Sequence, residues 1–143
     1  MAGDERVYRL EGFAVPAELD RVHELIERVG AEELRLDSTD LMLFEMAVVE
    51  IANNVVEHGR PAGEVRWQLI LTVTAEAITA DLYDSGEVVS LDFARAMPEE
   101  DAESGRGIPL AKSLLDEISV GPSDSGSGNH WRLLRRLGAS DAE

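Results

Sequence analysis

Apolar positions along this chain change their period several times, and each change marks an element. After Pro16, residues Leu19, Val22, Leu25, Ile26 and Val29 recur at helical spacing. Proline fits a first helical turn, where its missing N–H costs nothing, and Gly30 is the expected stop. DSTDLMLFEMAVVEIANNVVEHG (37–59) reads as a longer helix. Asp37 or Ser38 can cap it, Asp40 suits the positive end of its dipole, and Gly59 with Pro61 stops it. RVYRLEGFAV (6–15) mixes apolar and polar residues and reads as a first strand. EVRWQLILTV (64–73) and AITADLYD (77–84) read as two more, and the short polar link TAEA (74–77) predicts an antiparallel hairpin.

The second half is less regular. Residues 85–106 hold Gly86, Pro98, a cluster of acids (Glu99, Glu100, Asp101, Glu103) and Gly105, and form the best candidate for a loop or lid. GIPLAKSLLDEI (107–118) predicts a short helix with Pro109 in its first turn. EISVGP (117–122) and NHWRLLRRL (129–137) predict strands around the turn SDSGSG (123–128), and the tail GASDAE is expected to be disordered. Strand, helix, helix, two strands, lid, helix, two strands is the order of an α+β protein. The expected fold is a two-layer α/β sandwich, with a mixed, mostly antiparallel sheet and helices on one face. The order lacks the alternation of a Rossmann fold, and GxGxxG and GxxxxGK[ST] are both absent.

Composition narrows the function classes. A length of 143 residues predicts one domain over 1–143, large enough to bury a core without staples. No cysteine is present, which removes disulfides, thiolate nucleophiles and cysteine zinc sites. MAGDERVYRL is charged and does not read as a signal peptide, and no apolar run approaches membrane length, so the expected location is the cytoplasm, without membrane association. The net charge of −16 argues against nucleic acid, whose phosphates this surface would repel. It does not argue against one nucleotide, which needs only a local nest of N–H groups and a cation.

The 37–59 helix raises the sharpest question. Leu41, Phe44, Val48, Ile51 and Val55 form one apolar stripe, and Met42, Met46 and Val49 a second, which predicts packing on two sides. Between them Glu50, Asn54 and His58 stand four residues apart, on a shallow diagonal. One reading is that these groups satisfy each other or nearby backbone, with His58 favoured by the helix C-terminus. The other is that a ligand satisfies them: an amide oxygen can hold a hard cation, and a carboxylate one turn earlier can take a proton. Asp84 and Gly86 in DLYDSGEV suit either an adenine amine or an ordinary turn. Gly105 and Gly107 in SGRGIPLAKS suit either phosphate at a helix start or a loop and cap.

Taken in order, these stretches resemble the GHKL (Bergerat-fold) ATPases. Glu50 and Asn54 match E-x-x-x-N, Asp84 and Gly86 match the first glycine box, and Gly105 and Gly107 match the second. EIANNVVEHG and GRGIPLAKSLLDEISV look most like the anti-sigma factor serine/threonine kinases, and the resemblance runs from about residue 8 to 137. It implies ATP or ADP with Mg2+ as cofactors, an ordered core at about 6–137 and a lid at about 87–105. It implies Glu50 as general base, Asn54 as magnesium ligand and Asp84 with Gly86 at adenine. Gly105, Arg106, Gly107 and Ile108 would lie at the phosphates, and His58 would belong to the same cofactor site. The implied partners are an anti-anti-sigma factor with a STAS domain as protein substrate, a sigma factor, and a second copy in a homodimer. Two features depart from the pattern: Val88 stands at the second glycine of the first box, and the lid is acidic. Val88 keeps open a second reading, a binding module of this fold with weak catalysis or none.

Overall fold

The strands are β1 Arg6–Phe13, β2 Arg66–Val73, β3 Ala77–Asp84, β4 Glu117–Pro122 and β5 Asn129–Arg136. The helices are α1 Leu19–Glu32, α2 Ser38–His58 and α3 Gly107–Leu114, with a short 3-10 turn at Pro16–Glu18. This computed structural model describes residues 5–34, 36–59, 61, 63–87, 107–123 and 128–137. The expected lid, from residue 88 on, and the C-terminal tail lie outside them.

The strands form one sheet in the order β1-β2-β3-β5-β4. Strict alternation explains β2: Trp67, Leu69, Leu71 and Val73 are buried, while the residues between them are exposed or half-buried. Every bonded pair among the described strands is antiparallel, where the sequence predicted a mixed, mostly antiparallel sheet. β3 and β4 do run the same way, but β5 lies between them and bonds both. The β2–β3 hairpin closes on Thr74, whose Oγ1 accepts the N–H groups of Glu76 at 3.2 Å and Ala77 at 3.1 Å.

The buried stripes of α1 (Val22, Leu25, Ile26, Val29) and α2 (Phe44, Ala47, Val48, Ile51, Val55) join the inward side chains of the sheet in one core. Asp37 is the residue that caps α2, accepting the N–H of Asp40 at 3.1 Å. Two expectations need correction. Gly30 does not end α1, which continues to Glu32. A Cβ at Gly30 would lie 2.8 Å from Leu41 Cδ2, so this glycine leaves room for a methyl group of α2 and does not stop α1. Nor is α2 covered along its second apolar strip: Val49 packs on the core, but Met42 is 52% and Met46 42% exposed. The sheet takes one face of α2, and α1 and α3 pack against it too, which leaves an outer face.

α3 ends at Leu114, short of the expected 118, because residues 115 and 116 turn the chain into β4. Arg135 locks that turn. Its guanidinium donates to the Leu114 carbonyl at 2.7 Å and to Asp40 Oδ1 at 2.9 and 3.1 Å, tying β5 to both α2 and α3. On edge strand β1, the Tyr8 hydroxyl sits between Glu33 at 2.7 Å and Glu32 at 3.0 Å. Burial first, and then these hydrogen bonds, hold its phenol well above the ordinary range, so it stays a neutral donor. No described helix is long and apolar enough to cross a membrane.

Candidate functional site

α2 is the central helix of its layer, and its two flanks differ. On one, Glu45 Oε2 meets His23 Nδ1 of α1 at 2.6 Å. At about 100° per residue, Glu50 and Asn54 fall on the opposite edge of the buried stripe. Both are half-buried. The Asn54 amide reaches only the Glu50 backbone carbonyl, at 3.5 Å, a long contact. The two side chains therefore do not satisfy each other. Among the described residues, neither the Glu50 carboxylate nor the Asn54 side-chain oxygen has a hydrogen-bond partner.

That donor set fits one kind of cation site. No group of three or more His, Cys, Asp or Glu is placed to hold a metal among the described residues. A divalent ion here would take Asn54 as a protein oxygen and draw other oxygens from its ligand and water, as magnesium on phosphates commonly does. His58, the third polar residue of the diagonal, sits exposed at the end of α2. Its Nε2 lies 3.7 Å from Glu57 Oε1, and no hydrogen bond joins it to Asn54.

Two more expected residues, Asp84 and Gly86, stand together at the end of β3. Asp84 is 6% exposed, and its carboxylate is surrounded by donors. Oδ1 accepts the Gly86 N–H and the Asn129 side-chain amide, both at 2.9 Å, and Oδ2 accepts the Trp131 indole N–H at 2.9 Å. The Gly86 bond is an Asx-turn, so the turn reading of Asp-Ser-Gly holds, and the carboxylate does more besides. Ser85 anchors the turn to β2: its N–H donates to the Arg66 carbonyl, and its Oγ accepts the Arg66 N–H at 2.8 Å. Gly128 has φ +82°, and a Cβ there would lie 2.2 Å from the Asp84 carbonyl oxygen. This turn must be glycine.

Gly107 and Ile108 open the described part of α3. Gly105, Arg106 and Val88 lie outside the described residues. An open depression of about 780 Å3 touches Asp84, but its other walls are mostly residues of β1 to β3, among them Glu11, Phe13, Arg66, Gln68 and Tyr83. No residue of α2 lines it, so it is not the space beside Glu50 and Asn54.

Sequence reasoning missed Asn129 and Trp131. A signal existed: β5 alternates, and its inward set is Asn129, Trp131 and Leu133, all buried. An amide at an inward strand position needs a partner, and the register sets Asn129 opposite Asp84.

A family model described as the histidine kinase-like ATPase domain matches residues 14–134. No curated protein matches the chain significantly.

Proposed function

The chain belongs to the histidine kinase-like ATPase domain family, and from that premise we propose that it is an ATP-dependent serine/threonine protein kinase of the anti-sigma factor type. One observation carries the kinase reading: Glu50 and Asn54 stand one helical turn apart with oxygens that no described residue satisfies. A module that only bound partners would have no use for an unpaired carboxylate beside a cation ligand.

The roles follow from chemistry. Magnesium, when bound, neutralises charge across the phosphates, and Asn54 would hold it through its carbonyl oxygen. Asp84 would orient adenine, and Gly105, Arg106, Gly107 and Ile108 would receive the phosphates at the start of α3. Glu50 would accept the proton of a partner's serine hydroxyl as its oxygen bonds to the γ-phosphorus. The bond from that phosphorus to the β-phosphate oxygen breaks, and ADP leaves. The protein substrate is an anti-anti-sigma factor with a STAS domain. The kinase also sequesters a sigma factor, works as a homodimer, and does so in the cytoplasm. A specific residue supports a second reading: Val88 in place of the box's second glycine favours a module that binds partners with weak catalysis or none.

The test is calorimetric titration of ADP and ATP into the wild-type chain and Asn54→Ala, with and without magnesium. Magnesium-dependent binding that weakens about tenfold or more in the variant is expected, from loss of one cation ligand. A wild-type chain that binds neither nucleotide at high concentration would end the kinase reading and leave the binding module.

A further inference from the structure

We infer that Asn129 and Trp131 are positioning residues that set the base selectivity of Asp84, and that Asn129 links this selectivity to the chain leaving β3. The inference rests on the nucleotide-binding reading above and names what selects the base. A carboxylate offers about four acceptor positions. Gly86, Asn129 and Trp131 fill three of them. One remains, on Oδ2.

A single fixed acceptor suits the exocyclic amine of a 6-aminopurine. It leaves the oxygen of a 6-oxopurine facing another oxygen, with neither satisfied. If the carboxylate could turn, or if water took an empty position, this discrimination would relax, because water can present a hydrogen or a lone pair. The β5 side chains prevent both. Asn129 is 2% and Trp131 3% exposed, so packing holds their rotamers.

The amide orientation of Asn129 follows from its partners. Its Nδ2 donates to Asp84 Oδ1 and to the Glu87 carbonyl, both at 2.9 Å. Both are acceptors only, so the NH2 group must face them. One amide thus spans both ends of the turn from Asp84 to Glu87. On the opposite face of the same strand pair, Tyr83 and His130 stack with ring centroids 4.2 Å apart. The Asp84 turn is therefore braced from both faces of β3 and β5.

The test compares ADP and GDP affinity in the wild-type chain, Asn129→Ser, Asn129→Ala and Trp131→Phe. ADP affinity should fall about tenfold in Asn129→Ala while GDP affinity stays level, because a lost hydrogen bond to a charged acceptor is worth at least that. Asn129→Ser keeps one donor for two acceptors and should fall between. Trp131→Phe should also narrow the ADP-to-GDP ratio. A purely structural role would lower both affinities in parallel, and an unchanged ratio in folded variants overturns the inference. A wild-type chain that binds no ADP removes the nucleotide reading itself, and this inference with it.

A second measurement needs no variant that disturbs the turn. The 15N-labelled wild-type chain has two tryptophans, and the indole N–H resonance of Trp131 is assigned through Trp67→Phe. It should shift on saturation with ADP and not at the same concentration of GDP. An unmoved Trp131 resonance in a chain that binds ADP also overturns the inference.

Discussion

At the end of β3 the Asp84 carboxylate is buried and meets three N–H donors, whereas on α2 the half-buried Glu50 carboxylate meets none among the described residues. The first group is solvated by the protein itself. Its geometry is settled before any ligand arrives, so its removal must disturb the fold as well as the recognition proposed for it. The second stands ready for a partner from outside. Its removal should cost chemistry and leave the fold alone. Under the proposed roles, preorganisation and reactivity sit at different places, one on strands locked by register, the other on a helix edge.

The sharpest way to break that comparison is Glu50→Gln. The substitution keeps size and polarity and removes the proposed base. Phosphoryl transfer to a serine-bearing substrate should fall about 10²–10⁴-fold, with ADP affinity and the urea midpoint unchanged. Transfer at the normal rate would remove Glu50 from the chemistry. A clear loss of stability would show that its carboxylate has a structural partner after all.

Asp84→Ala should behave in the opposite way. It strands the Trp131 indole, the Asn129 amide and the Gly86 N–H in a buried place. Unpaired buried donors cost about 1–3 kcal/mol each, and partial relaxation brings the expected loss to about 2–4 kcal/mol. Urea denaturation measures it, and calorimetry should show nucleotide affinity gone. A variant as stable as the parent would mean that the network does not brace the β3–β5 end, and the contrast with Glu50 would collapse.

The two regions also differed in how far the sequence disclosed them. Glu50 and Asn54 were legible because helical spacing is local: four residues fix their mutual geometry without knowledge of the rest of the fold. The Asp84–Asn129 pair spans 45 positions and depends on strand register, which no local pattern states. The bounds of β3 were readable because Ala77–Asp84 is closed by a turn at each end. Gly30 misled because a glycine that ends a helix and one that lies beside a neighbouring side chain within a helix look the same in a string. Met42 and Met46 misled for a similar reason, since periodicity marks an apolar strip but not whether anything covers it.

His58 supplies the smallest expected effect, and it asks where the proposed reactive edge of α2 stops. Spacing alone places it on the diagonal with Glu50 and Asn54, yet it is exposed, and Glu57 is the partner its ring approaches, at 3.7 Å. An exposed pair of this kind contributes about 0–1 kcal/mol. His58→Ala should therefore change stability by about 0.5 kcal/mol or less and ADP affinity by less than about threefold. If instead affinity fell tenfold with stability intact, the ligand would have to reach the last turn of α2. The reactive edge would then run the full length of the diagonal, three polar residues and not two, and His58 would contact the bound nucleotide or the protein substrate.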